Sequence, residues 1–138
     1  MQKYVPSLFL FSLALLFIMS GCKSAEQAKE QADQFYEHLK NRDYAPIYDM
    51  LDAEALKESP IEVIEEVFAQ KEEYGKLKRV EKKVGFNTTT NNGMTYVTLN
   101  YKCYYDKLTF HERLVFVKRN KGFKIYSYAF NENERDLK

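Results

Sequence analysis

The side chains with the most distinctive chemistry in this 138-residue chain are two cysteines and two histidines. A metal centre needs several Cys or His ligands at short, regular spacings. Neither His38 nor His111 has a cysteine or a second histidine at such a spacing. Cys103 lies in an apolar row, which is typical of a buried, unreactive thiol. The sequence therefore predicts no metal site and no cofactor, and leaves Cys22 as the cysteine with a special context.

Cys22 follows a segment with the three parts of an export signal: Lys3 near the start, an apolar run over residues 8–19, and small residues before the cysteine. The run is too short to cross a bilayer, which takes about 20 apolar residues. The sequence Met19-Ser20-Gly21-Cys22 resembles the lipobox of bacterial lipoproteins, with Met19 where leucine is usual. The resemblance implies that residues 1–21 are a removed signal peptide, that Cys22 carries lipid, and that residues 22–24 form a short tether.

Such an anchor places the protein at the membrane of a bacterial cell envelope, because two or three acyl chains hold stably where one holds loosely. Lys23 follows the cysteine, whereas aspartate is the residue that commonly retains lipoproteins at the inner membrane of Gram-negative bacteria. The outer membrane is therefore favoured if the host has one. The precursor has 21 basic and 20 acidic residues, and loss of Lys3 leaves 20 of each. Proteins that bind nucleic acids usually have an excess of positive charge, so this balance argues against a nucleic-acid partner.

Three helices are predicted before residue 75, because apolar residues recur there at helical spacing. The first, of about 16 residues from Ser24, is rich in alanine. The second carries its apolar face between Tyr44 and Leu51, and the third begins near Ile61 and ends at Gly75. The alanines would let the first helix lie close against a sheet.

After Gly75 the apolar period changes from 3.6 to 2, and four strands are predicted over residues 77–89, 94–105, 108–119 and 123–130. The turns between them are short: Asn92-Gly93, Asp106-Lys107 and a turn at residues 120–122. Short turns join neighbouring antiparallel strands. We therefore predict a four-stranded antiparallel meander, followed by a polar tail over residues 132–138.

The first two turns set a register in which facing residues agree in character. The turn at Asp106-Lys107 places Tyr101 opposite Glu112, and the turn at Asn92-Gly93 places Lys82 opposite Cys103. For the last strand, the length of the preceding loop decides which residues point inward. The favoured alternative is a two-residue loop, which places these residues inward: Phe123, Ile125, Ser127 and Ala129. A three-residue loop with a bulge at Gly122 brings in the other set instead: Tyr126, Tyr128 and Phe130.

Three helices before a long-stranded meander resemble the nuclear transport factor two-like, or cystatin-like, fold. The similarity covers residues 25–130 and is carried by three segments: 41–51, with Asp43-Tyr44; 68–78, from Phe68 through Gly75; and 122–125. The chain departs from the family pattern at Arg42, where glycine is usual, and at Phe123, where tryptophan is usual. The resemblance implies an α+β domain with the helices packed on a curved sheet, which can enclose a cone-shaped pocket. Within that fold the chain is similar to small bacterial lipoproteins of uncharacterised families.

The inward face of the sheet supplies the candidate pocket residues: Lys82, Tyr101, Cys103, Tyr105, Glu112 and Ser127. A carboxylate buried beside tyrosines can act as a general base, and isomerases and dehydratases of the resembling fold place an acidic residue in the cone. The alternative is structural: Glu112 hydrogen-bonds Tyr101 or reaches a rim, and Lys82 extends along an edge strand with its ammonium group in water.

The outward face supplies a candidate interface: Tyr96, Tyr104, Arg113, Tyr126 and Tyr128. Exposed tyrosine and arginine beside aliphatic residues are typical of an interface core. The alternative is that the tail or a different register covers them. We therefore expect a weak homodimer or a contact with an envelope protein. The favoured function is a non-catalytic binding or interaction module, and the alternative is a small isomerase- or dehydratase-like enzyme using Glu112 with Tyr101 or Tyr105.

Overall fold

A computed structural model describes the backbone of residues 7–137 and the side chains of residues 23–137. The described part contains four α-helices, α1 (Ser7–Asn41), α2 (Ala45–Met50), α3 (Ala53–Glu58) and α4 (Ile61–Glu72). They are followed by the strands β1 (Leu77–Lys82), β2 (Asn87–Asn91), β3 (Met94–Tyr105), β4 (Thr109–Arg119) and β5 (Gly122–Asn131), and by a short 3-10 helix, Glu134–Asp136. The predicted α+β class is confirmed, but one helix and one strand more are present than the sequence pattern predicted.

The additional helix, α3, occupies the short interval between the second and third predicted helices. Asp52 starts it, because the Asp52 carboxylate accepts a hydrogen bond from the backbone N–H of Glu54 at 3.2 Å. The helix has only six residues and buries none of them fully, so the apolar pattern alone gave little sign of it.

The sheet is open and antiparallel, in the order β1-β3-β4-β5, with β2 paired to β3 beyond the end of β1. The predicted pairing of β3 with β4 is confirmed, with Tyr101 opposite Glu112 and Cys103 opposite Phe110. Alternate residues of β3 are buried in this pair, as period-2 patterning requires. The curvature of a cone, which the family resemblance implies, stays a prediction.

The predicted first strand, 77–89, is wrong because it is interrupted at residues 83–86. Gly85 has φ +89°, and the chain leaves the sheet there, so that Val84 and Phe86 are exposed rather than inward. The interruption shifts the pairing by two residues: Lys82 lies opposite Tyr101, and Val80 takes the position opposite Cys103. A shift of two preserves the faces of the sheet but changes the partners.

The last strand combines the two predicted registers. It begins as the favoured one, with Gly122 opposite Arg119 and Phe123 and Ile125 buried. A bulge then falls between the pairs of Val115 and Phe116, so that the extra residue on β5 is Tyr126 and the faces exchange. Beyond it, Tyr128 and Phe130 pack against the core, and the favoured inward placement of Ser127 and Ala129 is wrong.

The helices cover the inward face of the sheet. Ala28 and Ala32 of α1 are fully buried, which lets α1 approach the strands closely. Ile47 and Met50 are the buried residues of α2, and Phe68 and Lys71 are those of α4. Helix α4 thus depends on a charged side chain for much of its attachment, and this side chain leads to the candidate site.

Candidate functional site

Glu112 lies at the centre of a buried polar cluster on the inward face of β4, where none of its surface is exposed. The hydroxyl of Tyr105 donates to Oε1 of Glu112 at 2.8 Å, and the hydroxyl of Tyr128 donates to Oε2 at 2.8 Å. Neither partner is the predicted Tyr101, whose hydroxyl is buried without a hydrogen-bond partner in the described part of the chain. The carboxylate therefore has a donor on each oxygen.

Lys71 of α4 supplies the opposite charge. Its Nζ lies 2.5 Å from Oε1 of Glu112 and also donates to the hydroxyl of Tyr128, and its side chain is 3% exposed. Four aromatic rings surround Nζ, with ring centres 4.4 to 5.6 Å away, and their faces favour a cation. The rings belong to Tyr105, Phe110, Tyr128 and Phe130. We call Lys71, Glu112, Tyr105 and Tyr128 the buried charge cluster.

Burial changes the pKa values of three members of this cluster, Lys71, Tyr105 and Tyr128. It lowers the pKa of Lys71, because an ammonium group loses its hydration inside the protein, and the neighbouring Glu112 opposes this effect. Burial and the charge of Glu112 raise the pKa of Tyr105 and that of Tyr128, so both hydroxyls stay protonated at neutral pH. The two tyrosines are thus fixed as hydrogen-bond donors to the carboxylate.

The buried charge cluster has little room for a substrate. A cavity of about 10 Å³ lies beside Lys71 and Tyr105, which is about the space of one water molecule. Glu112 lines neither this cavity nor the two larger ones among the described residues, of about 290 and 560 Å³. The geometry therefore suits a polar clamp between α4 and the sheet better than a reaction centre.

A larger cavity of about 290 Å³ opens between helices α2 to α4 and strand β5. Most of its walls are apolar, and we call it the groove. Its lining includes Ile47, Leu51, Val63, Ile64, Val67, Phe68, Ile125, Tyr126, Ser127 and Tyr128. Tyr128 lines the groove and also belongs to the buried charge cluster, so the cluster holds part of the groove lining in place.

The structure separates the predicted pocket residues. Tyr101, Cys103, Tyr105 and Glu112 are all buried, and burial raises the pKa of the Cys103 thiol, which makes it less reactive. Lys82 is exposed and lies opposite Tyr101 in the sheet, and these two residues line a different cleft, between α1 and β1. Ser127 is exposed and lines the groove, because the bulge turns it away from the inward face.

The predicted interface residues are also divided. Tyr96 and Tyr126 stay together, with ring centres 5.4 Å apart. Tyr104 packs beneath Arg79 and donates to Glu81 at 2.9 Å. Arg113 donates to Asn100 and to the backbone of Leu137, which brings the C-terminal segment onto this face. Tyr128 turns inward, so its assignment to the outward face is wrong.

Lys71 is the residue of this site that sequence reasoning missed. A lysine in a charged helix is usually taken as solvated, because few lysines are fully buried. Its position gave a usable signal, since Ile64, Phe68 and Lys71 follow one another at spacings of four and three and so share one helix face. The inward position of Glu112 was the second signal, because a buried carboxylate requires a partner of opposite charge.

Cys22, the predicted lipid attachment site, lies outside the residues whose side chains are described. Within the described residues, no group of three or more Cys, His, Asp or Glu side chains is placed to hold a metal ion. No helix of the same part is long and apolar enough to cross a membrane. Comparison with models of protein families, with curated proteins and with solved structures finds no match for this chain.

Proposed function

We propose that this protein is a lipid-anchored bacterial envelope protein whose domain is a non-catalytic binding module, and that the groove is its binding site. The arrangement of helices on one face of an antiparallel meander supports a nuclear transport factor two-like, or cystatin-like, relationship. Fold alone does not carry function, so the proposal rests on the groove.

The observation that carries the proposal is an apolar cavity open to solvent. Its volume, about 290 Å³, is near the lower limit for ligand sites. Val63 at its wall is 47% exposed, and Tyr126 is 36% exposed. Covering these exposed apolar walls with an apolar group is favourable, by about 25 cal/mol for each Å² of apolar surface removed from water. An apolar ligand or an apolar segment of a protein fits this site.

The enzymatic alternative finds less support. A general base must come within hydrogen-bond reach of its substrate, yet both carboxylate oxygens of Glu112 accept internal hydrogen bonds. Tyr101 and Tyr105 are 2% and 9% exposed. We therefore propose a binding module in preference to an isomerase or dehydratase.

The anchor is proposed from Cys22 and the apolar segment before it. Growth with a clickable fatty acid should label the wild-type protein, and Cys22→Ala should remove the label. Persistence of label in Cys22→Ala would contradict lipidation at this residue. Fractionation of a Gram-negative host should place the labelled protein in the outer membrane, because Lys23 rather than aspartate follows the cysteine.

The groove is tested with residues 23–138, which retain all the described buried apolar side chains, Ala25 to Leu137. The uncharged dye N-phenylnaphthylamine, which fluoresces in apolar surroundings, should bind the wild-type domain. Val63→Glu should weaken this binding about tenfold or more, since a carboxylate is costly in an apolar site.

Val84→Glu is the matched control. It introduces the same charge at an exposed valine between β1 and β2, outside the groove, and should leave dye binding unchanged. Equal loss in both variants, or no dye binding by a folded wild-type domain, would overturn the proposal.

A further inference from the structure

The loop between β1 and β2, residues 83–86, exposes two large apolar side chains to solvent. Val84 is fully exposed, and Phe86 is 48% exposed. Gly85 between them has a φ of +89°, and no atom lies within 4 Å of an added Cβ. This part of the chain therefore projects from the edge of the sheet. We call residues 83–86 the β1–β2 loop.

The β1–β2 loop lies at the start of a long segment without negative charge. From Lys82 to Tyr105 the sequence contains three lysines and no aspartate or glutamate. Lys82 is exposed and forms no ion pair with any residue in the described part of the chain. Strand β2, which follows the loop, consists of exposed asparagine and threonine.

Two carboxylates near the β1–β2 loop are already neutralised. Glu81 pairs with Arg79, and Glu134 of the C-terminal segment pairs with Lys83. The exposed apolar residues thus have a free positive charge beside them, at Lys82, and no free carboxylate on either of these neighbours. Such a surface can approach a negatively charged partner without repulsion.

Contacts between α1 and β3 show which end of the sheet is closest to the proposed lipid anchor. The ring of Tyr36 lies 4.7 Å from that of Tyr101, and Leu39 lines the same small cavity as Tyr105. Helix α1 therefore runs in the same direction as β3. The N-terminal part of α1, which follows Cys22, points toward the end of β3 that begins at Met94.

The distances along the two elements agree with this placement. Lys23 precedes Tyr36 by 13 residues, which is about 20 Å along a helix. The β1–β2 loop lies beside the middle of β3, because the backbone N–H of Lys83 donates to Asn100 and Asn87 pairs with Thr98. A domain held by its tether can bring this edge of the sheet to the membrane by tilting.

An anionic bilayer offers both interactions that the β1–β2 loop can make. Apolar side chains gain free energy when they enter the boundary between headgroups and acyl chains, and lysines are attracted to anionic lipids. The proposed anchor would hold the domain at the bilayer, where the effective concentration of lipid is high and a small contact suffices.

We propose that the β1–β2 loop is a second membrane contact, in which Val84 and Phe86 enter the surface of an anionic bilayer and Lys82 lies among its phosphate groups. This inference rests on the proposed lipid anchor and adds the surface through which the domain meets the membrane. The two can be separated, because unlipidated residues 23–138 test the loop and the fatty-acid label tests Cys22.

The chain contains no tryptophan, so Phe86→Trp supplies a single fluorescent reporter in the loop. In residues 23–138, vesicles of phosphatidylcholine and phosphatidylglycerol should shift its emission to the blue, and brominated acyl chains should quench it. Binding to vesicles of phosphatidylcholine alone should be about fivefold weaker or more, because they lack anionic lipid. Added salt should weaken binding to the anionic vesicles, because it screens exposed charges.

A second reporter, Lys107→Trp, is the control for position. Lys107 is exposed in the turn after β3, at the end of that strand opposite to Met94. Its emission should change little with the same vesicles. An equal blue shift and equal quenching for the two reporters would overturn the inference, because they would show that the domain does not contact lipid through the β1–β2 loop.

Variants of the Phe86→Trp domain test the contact itself. Val84→Glu should weaken binding to the anionic vesicles about tenfold or more, since a carboxylate is costly in apolar surroundings. Lys82→Gln should weaken it about fivefold. Val63→Glu places the same new charge on an exposed valine of the groove and should leave vesicle binding unchanged.

These results separate the membrane contact from the groove. Val63→Glu should lose the dye and keep the vesicles, whereas Val84→Glu should lose the vesicles and keep the dye. Absence of an emission change with anionic vesicles, or equal losses of vesicle binding in Val63→Glu and Val84→Glu, would overturn the membrane contact. Failure of the dye to bind would overturn the groove function alone.

Discussion

The hydroxyl of Tyr128 lies 2.8 Å from Oε2 of Glu112 and donates a hydrogen bond to it, while the same tyrosine lines the groove. The buried ion pair of Glu112 with Lys71 therefore helps to fix the part of the groove lining that Tyr128 forms. Since Lys71 and Phe68 are the buried residues of α4, the pair also holds the helix that forms the groove wall.

Removal of either charge should destabilise the domain strongly. Lys71→Met leaves a carboxylate buried without its cation, and Glu112→Gln leaves an ammonium group without its anion. A broken buried pair costs about 3–5 kcal/mol, so urea unfolding should show a loss of that order in the free energy of unfolding for each variant. The double variant should lose less than the two losses added together, because it leaves no unpaired charge. Additive losses would show that the two groups do not act as a pair.

The stability of the junction between α2 and α3 should depend on pH through Asp52. This carboxylate is 3% exposed and accepts two hydrogen bonds from Arg119, from Nε and from Nη2, both at 2.8 Å. The Arg119 guanidinium holds the pKa of Asp52 below its usual range, although burial opposes this.

A lowered pKa in the folded state means that the unfolded chain binds the proton first as the pH falls. The stabilisation by Asp52 is therefore complete above the ordinary aspartate pKa of about 4, and is lost as the pH falls through the lowered value. Asp52→Asn should reduce the urea midpoint at neutral pH, and its difference from the wild type should shrink in acid. A difference that does not change with pH would contradict this role.

Gly75 should not tolerate alanine. Its φ of +87° disfavours a side chain, and an added Cβ would lie 2.5 Å from Cβ of Asp106. Asp106 also accepts a hydrogen bond from the backbone N–H of Lys76 at 2.7 Å, so a shift of Asp106 disturbs the turn into β1. A residue held in a sparsely populated backbone conformation costs about 1–3 kcal/mol.

Gly93→Ala separates the two causes, because Gly93 has φ +75° and open space around the added carbon. Thermal unfolding should show a larger loss for Gly75→Ala than for Gly93→Ala. Equal losses would mean that the contact with Asp106 adds nothing to the backbone effect.

Self-association through the outward face should depend on Tyr96 and Tyr126, which lie in contact and are partly exposed. We expect sedimentation of residues 23–138 at high concentration to show weak association, and Tyr96→Glu and Tyr126→Glu each to reduce it. Tyr96 lies outside the groove lining, so its variant separates assembly from binding. A domain that sediments as a monomer at every concentration would contradict a homodimer.

The alternation of apolar residues and the turn at Asp106-Lys107 were enough to predict the pairing of β3 with β4 correctly, including Glu112 opposite Tyr101. A short turn joins strands that are neighbours in sequence, so the residues of the turn themselves determine its geometry and the register of the two strands. The break in the first predicted strand was harder to predict. Gly85 lies at this break, but the apolar alternation continues past it to Phe86.

The sequence by itself determined the α+β class, the inward face of the two central strands, on which Glu112 lies, and the burial of Cys103. The tertiary structure decided the bulge at Tyr126, which turns Tyr128 inward, and the entry of Lys71 from α4. A lysine is buried only where a distant carboxylate and aromatic rings replace its water. Glu112 lies 41 residues and Tyr128 57 residues from Lys71 along the chain, so no local pattern can bring them together.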